Sequence, residues 1–245
     1  PSSSKRRAQA SGLARRLEEL GASVIQAPSI RIQPIEGPAP KLAPYDLICL
    51  TSPNAVSALF ERLSRAAHPP RDARAFGGAY VAAIGPGTAR ALAEHGVLAD
   101  IVPEPSVAEA LVEALADTLV DRALVARAKQ ARDLLPDALR ARGAEVDVLA
   151  LYETVAEPLA PDALAEARAA DYITFTSSST VRFFLDAAGG AAGLSPATRI
   201  VSIGPVTSET LREHRLEPHV EADPHDVDGV VQALLTDAGR SGGGE

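Results

Sequence analysis

Cysteine, methionine, tryptophan and aromatic side chains in general are scarce in this 245-residue sequence, with one Cys, no Met or Trp, and aromatics at 4%. A single cysteine, Cys49, allows neither a disulfide framework nor a thiolate metal centre, and a reducing cytoplasm is the expected setting. No apolar run approaches the roughly 18 residues that a membrane span requires, so no membrane partner is expected. No charged-then-apolar signal segment opens the chain. Basic residues number 24 against 32 acidic, and the net charge of −8 argues against general affinity for nucleic acid. His68, His219 and His225 show no metal-ligand spacing, so no metal is expected. Gly85-Pro86-Gly87 lacks the third glycine of a dinucleotide fingerprint, and Gly204-Pro205-Val206 lacks the second as well. Neither a Walker sequence nor a G-x-S-x-G nucleophile elbow occurs. The sequence thus carries no sign of a metal, a nucleotide or a covalent nucleophile.

What is present is a duplication. The chain is 46% hydrophobic, enough for two cores filled by Ala, Leu and Val. YDLICLTSPNAV (Tyr45–Val56) returns as DYITFTSSSTV (Asp171–Val181), with Thr176 standing 125 positions after Thr51. IGPGTARALAEH returns as IGPVTSETLREH at a spacing of 119, and LEELGASVIQAPSIR as LRARGAEVDVLALYE at 122. One α/β unit is written twice, and its few length changes fall in loops. His95 and His214 are repeat partners near the ends of helical patterns, where an imidazolium suits the dipole, so structural roles are expected for them.

Strand and helix patterns alternate along the chain. PSSSKRR at Pro1–Arg7 aligns with the strand-like ALVARAK at Ala123–Lys129, but Pro-Ser-Ser-Ser cannot form a buried strand. A strand preceding Pro1 is therefore expected to be lost or altered. A helix over Ala10–Leu20 ends at Gly21, a strand SVIQAPSI follows, and the four-proline RIQPIEGPAPKLAP reads as an extended connector. Strands at Leu47–Leu50, Tyr80–Ile84, near Ile101, Ala123–Ala126 and Glu145–Leu151 alternate with helical patterns. YETVAEPLAP reads as a second connector, and beyond it strands at Asp171–Thr176, Arg199–Ile203 and near Val220 continue the alternation. Such a chain forms parallel sheets covered by helices on both faces.

Ligands of open parallel sheets bind beyond the carboxyl ends of the strands. Those positions hold Thr51, Ser52 and Asn54, then Gly85 and Thr88, then Arg127, then Ser177, Ser178 and Ser179, then Gly204 and Thr207. Small hydroxyl residues and glycines at helix N-termini make good anion sites. Each turn taken alone is explained as a helix cap. Their place on the same rim in both copies points instead to a ligand cleft between the two copies.

The residues RAQASGLARRLEELGA, TSPNAV, IGPGT, LALYET, TFTSSSTVRFF, SIGPVT and HDVDGVVQAL, in this order from about Arg7 to Leu235, resemble the uroporphyrinogen-III synthase family. RAQASGLA is also similar to the synthase half of fusions with a uroporphyrinogen methyltransferase. The resemblance implies two similar flavodoxin-like, three-layer α/β domains joined by two crossing connectors. One would be residues 1–33 with 158–245, the other residues 34–157. It also implies a cofactor-free cyclising lyase, expected as a monomer, that dehydrates hydroxymethylbilane and closes it to uroporphyrinogen III with the last ring inverted through a spiro intermediate.

That substrate carries an acetate and a propionate on every pyrrole. Helix N-termini, hydroxyls and local cations (Arg127, Lys129, Arg132, Arg182, Lys5 and Arg7) are expected to hold the carboxylates, although each cation is also explained as a solvated surface charge. Tyr152, ending a strand where the second connector begins, is the candidate proton donor to the departing hydroxyl. Ring packing at the hinge is the other explanation of Tyr152. A non-catalytic domain of the same fold that binds a small anion or a tetrapyrrole is the competing class.

Overall fold

The protein is described here from a computed structural model, which covers residues 12–65 and 71–241. The expected anomaly at Pro1–Arg7, the cations Lys5 and Arg7, and His68 lie outside those residues. The chain divides into two compact units, one made of the residues up to Arg31 together with those from Val155 onward, the other of Ile32–Thr154. Both are α/β. Among the described residues no helix is long and apolar enough to cross a membrane.

In the unit Ile32–Thr154 the core strands are β2 (Leu47–Leu50), β3 (Tyr80–Ala83), β4 (Arg122–Ala128) and β5 (Glu145–Ala156), and β1 (Ile30–Pro34) lies at the sheet edge in the order β1-β5-β4-β2-β3. β2 is parallel to both neighbours, with Leu47 opposite Tyr80 on one side and Ala123 on the other. Its four residues, all buried, explain the layering. Ile48 and Leu50 enter one apolar cluster with Leu124, Ala126, Val81 and Ala83, and Leu47 and Cys49 enter another with Ala123, Val125 and Ala82. Successive strand side chains point to opposite faces, so a continuous apolar run demands cover on both. Helices α2 (Pro53–Arg65) and α3 (Pro86–Ala93) contribute Val56, Leu59 and Leu92 to the first cluster. Helices α4 (Ala108–Ala114) and α5 (Leu134–Ala141) contribute Leu111, Leu135 and Leu139 to the second. Each fully buried leucine of these layers is worth roughly 1.5–3 kcal/mol of transfer free energy. Burial also pushes the Cys49 thiol up to about 12, so it is a protonated core side chain at neutral pH.

The other unit has β6 (Tyr172–Phe175), β7 (Arg199–Ser202) and β8 (Val220–Glu221) in that order, all parallel. Phe175 and Ile200 face a cluster with Val181, Phe184 and Leu185 of α7 (Ser178–Ala188) and Leu211 of α8 (Pro205–Glu213). Val201 faces the opposite cluster with Val230 and Leu234 of α9 (Val227–Ser241) and Leu13 and Leu17 of α1 (residues 12–19). Helix α6 (Pro161–Arg168) adds Ala167 and Leu164 to the first of these layers. Gly189 ends α7 at φ 78°, a left-handed conformation that only glycine adopts cheaply.

Three expectations need correction. The strand expected at SVIQAPSI is displaced, since residues 22–29 have no assigned secondary structure and β1 begins only at Ile30, running to Pro34 within the supposed connector. The second connector is likewise strand as far as Ala156. Ile35 N–H donates to Leu151 O and Glu157 N–H to Ser29 O, so the two segments run antiparallel and satisfy each other's backbone. Pro34, at the end of an edge strand, removes no ladder bond that a central strand would need. Finally, the strand expected near Ile101 is a single parallel bridge to Ala82.

Candidate active site

The rim of the unit Ile32–Thr154 is built where β2, β3, β4 and β5 give way to helices and turns. Thr51 continues the ladder, its N–H donating to Ala126 O at 3.3 Å. Ser52 then caps α2, accepting the N–H of Ala55 on Oγ at 3.0 Å, and Pro53 supplies the first helical residue. Asn54 sits half-buried in the first turn of the same helix.

Tyr152 reaches this cap from β5. The β4–β5 register slips by one residue, Arg127 facing Ala150 while Ala128 faces Tyr152. Such a bulge re-aims a side chain. Leu151 and Tyr152, which strict alternation would send to opposite faces, are both buried in the cluster that holds Val56 and Leu59. The ring is 7% exposed, and its hydroxyl lies 2.9 Å from Ser52 Oγ. The Tyr152 carbonyl accepts the Lys129 N–H at 2.8 Å, which ties the bulge to the turn after β4.

Gly85 precedes α3 and Gly204 precedes α8, each followed by proline, and neither turn has a side-chain cap. Proline at the first helical position has no N–H, so the amides of Gly87 and Val206 are left to be satisfied from outside the helix. Thr88 and Thr207, one turn further, are buried. A Cβ on Gly85 would lie 2.1 Å from Ser106 Oγ, and one on Gly204 would lie 3.1 Å from the His225 ring. Ser106 and His225 thus belong to these turns, and nothing in their spacing announced it.

In the second unit Ser177 Oγ accepts the Thr180 N–H at 3.2 Å, and Thr180 Oγ1 in turn accepts the Ser177 N–H at 3.2 Å, closing a capping box at the start of α7. Ser178 Oγ donates to Val206 O at 3.2 Å and accepts from Thr210 Oγ1 at 2.8 Å, so it stitches the N-terminus of α7 to that of α8. Ser179 is half-buried on α7, whereas Thr176 is exposed.

Three of the expected cations, Arg127, Lys129 and Arg132, come with acidic partners. Arg127, with its side chain 9% exposed, donates to Asp133 and to the Arg132 carbonyl, and its buried Nε makes no hydrogen bond. Lys129 pairs with Glu153 at 3.1 Å, and Arg132 with Glu109 at 2.9 Å. Arg182 is exposed on α7.

A family model described as Uroporphyrinogen-III synthase HemD matches residues 11–232. The chain belongs to the uroporphyrinogen-III synthase family. It is 34% identical over 242 residues to the uroporphyrinogen-III synthase of Synechococcus elongatus, covering 92% of this chain and 90% of that one. With the uroporphyrinogen-III synthase of Chlorobaculum parvum the identity is 31% over 239 residues, covering 92% and 94%. A mutant uroporphyrinogen III synthase from Thermus thermophilus has the same fold, with a TM-score of 0.65 at 21% identity and 96% of each chain covered. The uroporphyrinogen-III synthetase of Helicobacter pylori gives 0.64 at 18% identity, covering 85% of this chain and 90% of that one.

Members of the uroporphyrinogen-III synthase family are cyclising lyases of porphyrin biosynthesis. For such an enzyme the rims described above offer two kinds of chemistry. Helix N-termini suit carboxylates, and Tyr152 brings a phenol hydroxyl on a buried ring to the rim. The hydroxyls of Ser52, Ser177 and Ser178, by contrast, already have protein partners.

Proposed function

We propose that the chain is a uroporphyrinogen-III synthase that dehydrates hydroxymethylbilane and closes it with ring D inverted, Tyr152 acting as proton donor to the departing hydroxyl. The observation that carries the role of Tyr152 is its placement. A bulge in β5 turns a ring-fixed phenol to the carboxyl-end rim, where its oxygen meets the N-terminus of α2. Tyr152 gives its hydrogen to the hydroxymethyl oxygen, the C–O bond breaks with its electrons on oxygen, and water leaves. The pyrrole nitrogen lone pair compensates the carbon as an azafulvene. Ring D attacks through its substituted α-carbon, the spiro intermediate rearranges, and the proton lost on final closure restores the phenol. Uncatalysed closure gives the uninverted isomer, so holding the chain of rings in one orientation is the larger part of the task.

The reading assigns carboxylate binding to Thr51, Asn54, Gly85, Thr88 and Arg127 in one unit and to Ser177, Ser178, Ser179, Gly204 and Thr207 in the other. The Gly-Pro turns at Gly85 and Gly204, which have no side-chain cap, support it most directly. It includes two domains, residues 1–33 with 158–245 and residues 34–157, and the division into units at Arg31 and Thr154 supports that organisation. It further has the protein acting without cofactor, as a cytoplasmic monomer, alone or fused to another tetrapyrrole enzyme.

The purified chain, given hydroxymethylbilane, is expected to yield type III uroporphyrin after oxidation and isomer separation. Only type I product, formed at the spontaneous rate, overturns the assignment, and tight binding without turnover identifies a tetrapyrrole-binding domain instead.

A further inference from the structure

Ser52 stands where a substrate carboxylate was expected, yet its oxygen is already engaged on two sides. A serine hydroxyl has one hydrogen and two lone pairs. The Ala55 amide can only donate, so its 3.0 Å bond occupies a lone pair of Ser52 Oγ. The 2.9 Å contact with Tyr152 Oη is the second bond, and among the described residues Ser52 Oγ has no third partner. If Ser52 donates to Tyr152, three dipoles point the same way, from Ala55 N–H through Ser52 O–H to the phenol, and a chain of hydrogen bonds polarised in one direction is strengthened by cooperativity. If Tyr152 donates instead, both lone pairs of Ser52 Oγ are taken and its hydrogen has no acceptor among the described residues.

We propose that Ser52 is a positioning residue for Tyr152: by donating to the phenol oxygen it turns the phenolic hydrogen outward, towards the hydroxyl that must leave. This rests on the proton-donor role of Tyr152 given above. The division of labour is physical. Packing in the core cluster and the bulge at Ala128 fix where the phenol oxygen sits. A phenol hydrogen can still rotate about the C–O bond, and a neighbour that donates to the oxygen decides where that hydrogen goes. Ser52 is therefore not a substrate ligand, and the cap on α2 holds the donor in place.

Three substitutions separate this role from a structural one. Ser52→Thr keeps both the cap and the donating hydroxyl. Ser52→Gly removes the hydroxyl at little cost to the cap. Ser52→Asp keeps a cap acceptor but puts a carboxylate where the donor was, which draws the phenolic hydrogen inward. With hydroxymethylbilane as substrate, Ser52→Thr is expected to match the unaltered protein. Ser52→Asp and Ser52→Gly are expected to lower kcat about 10²-fold, as Tyr152→Phe does, with KM little changed. Placed in a Tyr152→Phe background, Ser52→Asp is expected to cause no further fall. A rise in KM at unchanged kcat would make Ser52 a substrate ligand and overturn the proposal, as would a fall that multiplies with that of Tyr152→Phe.

Tyrosine 13Cζ resonances supply a readout that does not depend on turnover. The Tyr152 signal, identified by its loss in Tyr152→Phe, is expected to move in Ser52→Asp and stay in place in Ser52→Thr. If Tyr152→Phe proves fully active, the proton-donor reading has failed and this signal alone decides for Ser52. Movement then supports the orienting bond, and an unmoved signal overturns it.

Discussion

Arg199 at the start of β7 grips Asp237 of α9, Nη2 to Oδ1 at 2.6 Å, while the Tyr172 hydroxyl donates to Oδ2 of the same carboxylate at 2.9 Å. One charged cluster thus ties the last helix to two strands of its sheet. In the other unit Asp147 receives Tyr45 and Arg122 in a similar arrangement, at 2.8 and 3.0 Å. The Arg199 guanidinium, followed by the Tyr172 hydroxyl, holds the Asp237 carboxyl below the usual carboxylate range. A carboxyl whose folded-state pKa is depressed adds stability above its unfolded value, near 4, and loses it as pH falls through the lower folded value.

Asp237→Asn is accordingly expected to lower the urea midpoint at pH 7. The gap to the unaltered protein should narrow as pH is taken below about 4, because protonation there removes the same charge. A gap that stays constant down to pH 2.5 would show that the carboxylate's charge is not what holds α9.

Tyr152→Phe keeps the ring in its core and removes only the donor. General acid assistance is typically worth about 10²–10⁴-fold, and a fall near the lower end is expected because azafulvene formation is already easy. The product that does form should remain mainly the inverted isomer, since orientation is not the task of this hydroxyl. Predominantly type I product from the variant would reassign Tyr152 to holding the terminal ring.

Ser177→Ala removes one half of a capping box and should destabilise its unit by about 1 kcal/mol in chemical denaturation. Ser177→Asp, an equally good cap, should recover most of that. Because the proposed function also gives Ser177 a substrate carboxylate, Ser177→Ala should raise KM as well, and a loss of stability at unchanged KM would make the hydroxyl a cap and nothing more.

Gly85→Ala tests a steric reading of the first Gly-Pro turn. The backbone there is extended at φ −179°, which any residue adopts, so strain is not the reason for glycine. A Cβ would come within 2.1 Å of Ser106 Oγ and 2.5 Å of Ser106 Cβ, and overpacking of this kind costs roughly 1–3 kcal/mol. Ser106→Gly in the same chain should restore most of the lost stability, and no restoration would place the cost elsewhere.

Much of the architecture was legible because local pattern and burial agree. The run Leu47–Leu50 is apolar throughout, which only a strand covered on both faces can use, and it is followed by Ser52-Pro53, a cap and a first helical residue. The Gly-Pro pairs at 85–86 and 204–205 announced the starts of α3 and α8. Ser177 was legible as a rim residue, but the box it closes was not, because Thr180 stands where a glutamate or glutamine usually signals one. The pairing of β1 with β5 was hidden for another reason. Nearby prolines made residues 31–34 of β1 and 152–156 of β5 read as connectors, whereas the antiparallel bonds between the two segments are non-local.

By itself the sequence determined the duplication, the alternation of strand and helix, the two-faced burial of the sheets and the set of turns on their carboxyl-end rims. These follow from periodicity and cap chemistry, which act over a few residues. Only the tertiary structure decided which of those turn residues meet. Ser52 and Tyr152 are 100 positions apart, and their hydroxyls come within 2.9 Å because a one-residue slip between β4 and β5 turns Tyr152 back onto the face that α2 covers. No local propensity encodes that slip, since it is set by how two strands settle against each other once the cluster of Val56, Leu59 and Leu151 has closed around them.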